Sequence, residues 1–151
     1  MSLLDRIAGR RAYLDANVFI YGVEEVEPWV RVVQPVIEGL GTGIVDGVTS
    51  EITVAEVLVR PLRENDETGL RAFGRAVRSH GDLAVAPVTR AVLVGAAALR
   101  AADPALKLPD AIHAATARQS GCGVLVTNDD RLGRASVPGV EVLRLAEVRR
   151  H

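Results

Sequence analysis

Four acidic side chains occur where the sequence is otherwise apolar, and together they could bind a metal ion. They are Asp15, Glu56, Asp110 and Asp129. Two of them directly follow strand-like runs, one interrupts an apolar helical stretch, and one opens a helix-like segment. A carboxylate placed against a core costs free energy unless it is paired. Two such groups about 5 Å apart repel by roughly 3 kcal/mol at an effective dielectric of 20. A divalent cation among them would offset that repulsion.

The ligand chemistry narrows the choice of metal and reaction. Carboxylate oxygens without a His or Cys cluster favour Mg²⁺ or Mn²⁺ over zinc. Such an ion can bind a phosphate and can lower the pKa of a bound water to make a nucleophile. The pattern therefore predicts metal-dependent phosphodiester hydrolysis. Taken singly, Asp15 or Asp110 could simply stabilise the start of a helix, and Asp129 with Asp130 could form an ordinary turn. Asp130 also remains a rival for the fourth position.

Alternating elements predict how these acids are positioned. The chain has 151 residues with 48% apolar and only 3% aromatic side chains, which is typical of one domain, 1–151, with an aliphatic core. Strand-like runs alternate with helix-like ones, which favours an α/β fold with a central parallel sheet of four to five strands. The predicted strands are 12–15, 43–48, 83–88, 123–127 and 140–143. Gly41 is predicted to end the helix that begins at Pro28, and Pro61 to end the helix that contains Glu56.

The predicted order of elements brings the acids to one edge of the sheet. Ligands of parallel α/β sheets bind at the carboxyl ends of the strands. Asp15 and Asp129 lie at such ends, and Asp110 lies in the first turn of a helix that leads into the fourth strand. Glu56 lies about two turns into the helix after the second strand. We therefore expect the four side chains to converge.

Charge and composition restrict the partners and the compartment. The net charge is −1, so any nucleic-acid binding must depend on local arginines. Arg60, Arg63, Arg131 and Arg134 could contact phosphates, with an ordinary solvated surface as the alternative. No apolar run approaches the roughly 18 residues of a membrane span. The single cysteine, Cys122, is predicted to be buried, which favours a reducing, cytoplasmic location.

Four segments of the sequence together resemble the ordered motifs of the PIN-domain nucleases. They are YLDANVFIY at 13–21, TVAEVL at 53–58, LPDAIHAATA at 108–117 and VTND at 126–129. The short single-domain form is similar to the VapC toxins of type II toxin–antitoxin systems. Residues 1–11 precede the first strand as an N-terminal extension, and Leu132 stands where an aromatic residue is frequent in that family.

The resemblance implies a fold, an activity and partners. The implied fold is an αβα sandwich. The implied activity is that of an Mg²⁺- or Mn²⁺-dependent endoribonuclease, with an RNA substrate, a homodimeric state and an inhibitory antitoxin protein. By position, Asp15, Glu56, Asp110 and Asp129 would hold the metal and activate water. The same resemblance gives supporting roles near the carboxylates or the substrate to Asn17, Thr127 and Asn128, while Arg60 and Arg131 are candidates for phosphate contacts.

The same sequence features are compatible with other functions. A solitary RNA-processing nuclease or a non-catalytic RNA- or protein-binding module would share the fold, although the latter has no need for four repelling charges. A receiver-type phosphotransfer protein would require a basic residue after a late strand, and the only lysine, Lys107, precedes the fourth. His113 is predicted to be a packed histidine, with a substrate contact as the alternative. Tyr21 and Trp29 are predicted to lie in the core or at a dimer surface.

Overall fold

A five-stranded, wholly parallel sheet forms the centre of the protein, as seen in a computed structural model that describes residues 1–149. The strand order is β3-β2-β1-β4-β5. The strands are β1 (Arg11–Leu14), β2 (Asp46–Ser50), β3 (Leu83–Ala86), β4 (Val124–Thr127) and β5 (Glu141–Arg144). The predicted α/β class with a parallel sheet is confirmed, and all five expected strands are present.

Helices cover both faces of this sheet. Within the described residues they are α1 (Leu3–Ile7), α2 (Ala16–Val23), α3 (Trp29–Thr42), α4 (Glu51–Arg63), α5 (Glu67–Ala76), α6 (Arg90–Ala102), α7 (Leu108–Gln119), α8 (Asp130–Gly133) and α9 (Leu145–Arg149). None of the described helices is both long and apolar enough to span a membrane.

The alternation of side chains along β1 divides the core into two layers. Ala12 and Leu14 belong to a cluster that includes side chains of α1, α2, α3, α5 and α9. Tyr13, between them, belongs to the opposite cluster, with Ala114 and Ala117 of α7. Because strands in a parallel sheet are buried on both faces, they are apolar almost throughout. The result is the αβα sandwich that the resemblance implied.

The strand order reverses at the pair β1 and β4, which creates a natural place for a site. The chain runs from β1 outward through β2 to β3, then returns to place β4 on the other side of β1. The helices that follow these two strands leave the sheet on either side of the gap. In open α/β sheets the crevice at such a switch point is the usual ligand site. Asp15 follows β1 directly, and Asp129 lies two residues after β4.

Two predicted helix ends are wrong. Helix α3 continues past Gly41 to Thr42 and ends at Gly43, whose φ of +82° is the left-handed conformation that favours glycine at a helix terminus. Helix α4 continues through Pro61 to Arg63. Pro61 lies in the last turn, where its missing N–H costs one hydrogen bond, and its buried ring packs beside α5.

Both ends of the described chain contain helices that were not predicted from the sequence. Helix α1 lies in the segment treated as an N-terminal extension, and Leu3 and Ile7 are only 1% and 2% exposed in the main core. Ser2 and Asp5 form a capping box at its start, with the Asp5 N–H donating to the Ser2 hydroxyl. Helix α9 also packs against α3.

Candidate active site

A cavity of about 300 Å³ opens at the carboxyl edge of the sheet beside β1 and β4. All four predicted acids line it, although they come from four separate places in the chain. The lining residues are Asp15, Ala16, Asn17, Ile20, Glu56, Asp110, His113, Asp129 and Leu132. The structure therefore brings together the four acids that the sequence singled out, and it adds His113 to them.

Asp15 is the buried acid of the site. It is 4% exposed and caps α2, with Oδ1 accepting the N–H of Asn17 at 3.0 Å. Its other oxygen, Oδ2, accepts the hydroxyl hydrogen of Thr127 at 2.5 Å. Burial raises the pKa of Asp15 to about 6, while nearby His113 and the Thr127 hydrogen bond act to lower it. The Asp15 carboxyl is thus fixed in position by the backbone of α2 and by Thr127 of β4, and burial makes its ionised form less favourable.

Asp110 carries an oxygen that lacks a partner. Oδ2 of Asp110 is buried and makes no hydrogen bond within residues 1–149. Burial raises the pKa of this carboxyl, and the charge of Asp129 raises it further. The backbone N–H of Lys107 and the charge of Arg131 oppose that shift. Buried acceptors without donors are rare, so this atom indicates a ligand that is not a protein group.

The structure separates Asp129 from its rival Asp130. Asp129 lines the cavity and caps the short helix α8, where Oδ1 accepts the N–H of Leu132 at 2.8 Å. Asp130 is not among the lining residues; its side chain is 74% exposed and pairs with Arg144 at 3.5 Å. By position, Asp129 is therefore the fourth acid of the cavity.

Thr127 connects two of these acids. Its hydroxyl donates to Oδ2 of Asp15 and accepts the backbone N–H of Asp129 at 3.0 Å. Thr127→Val keeps the shape of the side chain but leaves both partners without this bond. We expect the free energy of unfolding to fall by about 1–3 kcal/mol, measured by urea denaturation, because a partly buried donor and a buried carboxylate lose a partner.

Thr116→Val is the matched control for that measurement. The hydroxyl of Thr116 is also buried, but it donates only to the carbonyl of Ile112 in the preceding turn of its own helix. Its loss should change the free energy of unfolding by less than about 0.5 kcal/mol. Equal losses in the two variants would show that Thr127 has no special role in holding the acids.

His113 and Glu56 form a contact that the sequence did not reveal. Nε2 of His113 lies 2.6 Å from Oε1 of Glu56, and Nδ1 lies 2.5 Å from the hydroxyl of Tyr13. His113 is 3% exposed, which agrees with the packed histidine predicted from the sequence. The spacing of Asp110 and His113 on one helix face was visible in the sequence; the partner 57 residues away was not.

The remaining predicted residues have different surroundings. Asn17 lines the cavity, whereas Asn128 donates its amide N–H to the hydroxyl of Tyr21 at 2.9 Å. Arg60 pairs with Glu24 and Glu64 on an exposed surface and does not line the cavity. Arg131 is exposed and lies near enough to Asp110 to lower its pKa. Tyr21 and Trp29 stack on each other and pack against the main core.

The donor set suits a hard cation but does not form a closed cage. Among residues 1–149, no group of three or more Asp, Glu, His or Cys side chains is arranged to hold a metal ion. Oδ2 of Asp110 is nevertheless buried without a hydrogen-bond donor, and the nearby charge of Asp129 raises the pKa of Asp110. A cation bound at this oxygen would stabilise the ionised carboxylate. Mg²⁺ commonly takes only one or two carboxylates and completes its shell with water and phosphate oxygens. The residues present fit that kind of site.

The fold matches solved structures of bacterial proteins. VapC20 from Mycobacterium tuberculosis, described as a sarcin-ricin loop cleaving toxin, aligns over 86% of this chain and 98% of its own, with a TM-score of 0.68 and 15% identity. A toxin–antitoxin complex from Klebsiella pneumoniae aligns over 89% and 97%, with a TM-score of 0.64 and 24% identity. VapBC2 from Rickettsia felis, bound to a promoter DNA fragment, aligns over 89% and 98%, with a TM-score of 0.64 and 14% identity.

The sequence itself gives the family. No curated protein matches the chain significantly in sequence. The family model for the PIN domain matches residues 12–138, from the first strand to just before the last. That range contains every acid of the cavity together with Thr127 and His113. The chain belongs to the PIN domain family.

Proposed function

We propose that this protein is an Mg²⁺- or Mn²⁺-dependent endoribonuclease of the VapC toxin type. One observation carries the proposal: four carboxylates from separate elements line a single cavity at the switch point of the sheet, and one of their buried oxygens lacks a partner. Such an arrangement stores electrostatic repulsion that a bound cation would relieve. A non-catalytic binding module would have no need for four mutually repelling carboxylates in one cavity.

Asp15, Asp110, Asp129 and Glu56 are the residues that would hold the metal, either directly or through its bound water molecules. When bound, the ion would neutralise a phosphate oxygen and lower the pKa of the attacking water. Thr127 keeps the Asp15 carboxylate in place through its hydrogen bond to Oδ2. Because the pKa of Asp15 is about 6, this group is mostly ionised at neutral pH and available as an anionic ligand.

The other polar groups around the cavity have separate tasks in this proposal. Glu56 is about one third exposed, so its carboxylate can reach solvent and accept a proton from water. Arg131 lies close to Asp110 and would attract an RNA phosphate toward the acidic centre. Asn17 lines the same cavity and would contact the substrate through its amide.

Support for the partners comes from the structural relatives. VapC20 is named as a sarcin-ricin loop cleaving toxin, and the Klebsiella protein as part of a toxin–antitoxin complex. By this analogy of fold we propose RNA as the substrate, a cognate antitoxin as the inhibitor, a homodimer as the assembly and the cytoplasm as the location.

Cleavage of RNA in the presence and absence of metal tests the proposal. Purified protein, incubated with a panel of structured RNAs, should cleave at least one of them with Mn²⁺ and none in excess EDTA. Restoring Mn²⁺ after EDTA should restore cleavage, which excludes irreversible unfolding as the cause. Cleavage that persists in EDTA, or no cleavage of any RNA despite Mn²⁺ binding measured by calorimetry, would contradict the proposal.

A further inference from the structure

A buried histidine links the central strand of the sheet to one acid of the cavity. The ring of His113 lies between the hydroxyl of Tyr13 at Nδ1 and the carboxylate of Glu56 at Nε2. An ionised carboxylate can only accept hydrogen bonds, so Nε2 carries the hydrogen that Glu56 receives. When the ring is neutral, Nδ1 is the acceptor for the Tyr13 hydroxyl. When the ring is protonated, Nδ1 donates to the same oxygen. Both ring nitrogens therefore have one partner each.

Tyr13 gives this contact a rigid support. It lies in β1, which pairs with β2 on one side and β4 on the other, and its side chain is 0% exposed. The rings of Tyr13 and His113 also meet edge to face, with centroids 5.6 Å apart and an interplanar angle of 66°. The orientation of the imidazole is therefore fixed by the centre of the sheet.

Glu56 has no comparable support from its own helix. Arg60, four residues later on α4, is in the favourable position for a helical ion pair with Glu56. Instead, the guanidinium of Arg60 bonds to Glu24 and Glu64, each at 3.2 Å. Within residues 1–149, the Glu56 carboxylate accepts a hydrogen bond from His113 at Oε1 and none at Oε2. A glutamate has three rotatable bonds, and this hydrogen bond restricts where the carboxylate points.

We propose that His113 is a positioning residue that directs the carboxylate of Glu56 into the cavity. The hydrogen bond holds Oε1 and leaves Oε2 for the cation, and Tyr13 keeps the imidazole in the orientation this requires. The inference rests on the proposed metal-dependent function, because Glu56 needs this orientation only if it serves a metal. Partners of this kind, which orient a ligand without touching the metal, typically contribute about 10–100-fold to metal affinity or activity.

Two amide substitutions at position 113 test the inference by isothermal titration with Mn²⁺. His113→Gln places an N–H donor near the position of Nε2, so it should keep the bond to Glu56 and bind Mn²⁺ within about threefold of wild type. His113→Asn is shorter and places its amide near the position of Nδ1, so it should lose that bond. We expect Mn²⁺ to bind His113→Asn about tenfold or more weakly.

Thermal unfolding of the same proteins separates positioning from packing. A purely structural role would lower the melting temperature of both variants and leave the Mn²⁺ affinities equal. Tyr13→Phe gives a second route that keeps residue 113 intact: it removes the hydroxyl at Nδ1 and should weaken Mn²⁺ binding in the same direction as His113→Asn. If wild type, His113→Asn and Tyr13→Phe bind Mn²⁺ equally, the inference is wrong while the nuclease proposal stands. If the wild-type protein binds no Mn²⁺, the proposed function fails and the inference with it.

Discussion

Asp15→Asn is expected to reduce Mn²⁺-dependent RNA cleavage by at least about 10³-fold, as loss of a central catalytic group commonly does. The substitution keeps the size of the side chain and its ability to cap α2, because Asn and Asp are equally good at a helix N-cap. It removes the negative charge between Asn17 and Thr127, and the amide NH₂ replaces the oxygen that accepts the Thr127 hydroxyl hydrogen. Cleavage of a responsive RNA, measured over a range of Mn²⁺ concentrations, checks the loss.

The same variant should be more stable than the wild type when metal is removed. Burial raises the pKa of Asp15 to about 6, against about 3.9 in an unfolded chain. A raised pKa in the folded state means that ionising Asp15 destabilises the fold, by about 3 kcal/mol once the pH exceeds 6. Asn carries no such cost. We expect Asp15→Asn to gain about 1–3 kcal/mol at pH 7 in EDTA, measured by urea unfolding.

The pH dependence of that gain identifies its cause. Below about pH 4 the carboxyl is protonated in both folded and unfolded chains, so the difference between variant and wild type should vanish. Between about pH 4 and 6 it should grow as the unfolded chain ionises first, and above pH 6 it should be constant. A variant that loses cleavage and is also less stable at pH 7 would show that Asp15 serves the fold, not the reaction.

The parts of the fold that follow from local pattern were visible in the sequence. Strands β1 and β4 are short apolar runs, and a parallel sheet needs such runs because both of its faces are buried. The caps Ser50, Asp66 and Thr89 depend on the same kind of local signal, since each provides an oxygen for a free N–H at the start of a helix. These signals depend on neighbours within a few residues.

The ends of helices and the helices at the ends of the chain were harder to predict, because several residues can end a helix and tertiary packing can override the local signal. Gly41 and Gly43 both suit a helix end, and the chain adopts the left-handed conformation at Gly43, whose N–H donates to the carbonyl of Gly39. Pro61 remains inside α4 because its burial compensates for the lost hydrogen bond. Ser2 and Asp5 form a capping box at the start of α1, but a helix of five residues is stable only through the core contacts of Leu3 and Ile7.

Within the site, the sequence indicated which residues lie close together but not which atoms are in contact. The order of the strands explains why Asp15 and Asp129 share a cavity. No local pattern relates Glu56 to His113, because their contact depends on α4 and α7 approaching each other above the sheet and on one rotamer of each side chain. Arg60 also could not be placed from local pattern. It was predicted as a candidate for a phosphate contact, but in the structure it forms ion pairs with Glu24 and Glu64.

Asp129→Asn is expected to lose most of its activity in the cleavage assay, whereas Asp130→Asn is expected to keep it. The two residues are adjacent and chemically identical, yet only Asp129 lines the cavity with the other acids. Its charge also raises the pKa of Asp110, which places the two carboxylates within electrostatic reach. Loss of a charge at this position should lower cleavage by about 10²-fold or more, as loss of a preorganised electrostatic contact does.

Asp130 provides the control because its role lies elsewhere. Its carboxylate is 74% exposed and makes one surface ion pair with Arg144. Such pairs contribute at most about 1 kcal/mol, so Asp130→Asn should lower the free energy of unfolding by no more than about that amount and leave the cleavage rate within about twofold of wild type. Measuring cleavage rates of the two variants with the same RNA and Mn²⁺ concentration decides whether Asp129 or Asp130 is the fourth acid.

If Asp130→Asn loses activity and Asp129→Asn keeps it, the fourth acid is Asp130, and the loop after β4 must rearrange when metal and RNA bind. Because Asp129 caps α8 through Oδ1 and Asn can form the same cap, a loss in Asp129→Asn would reflect the missing charge and not an unwound helix.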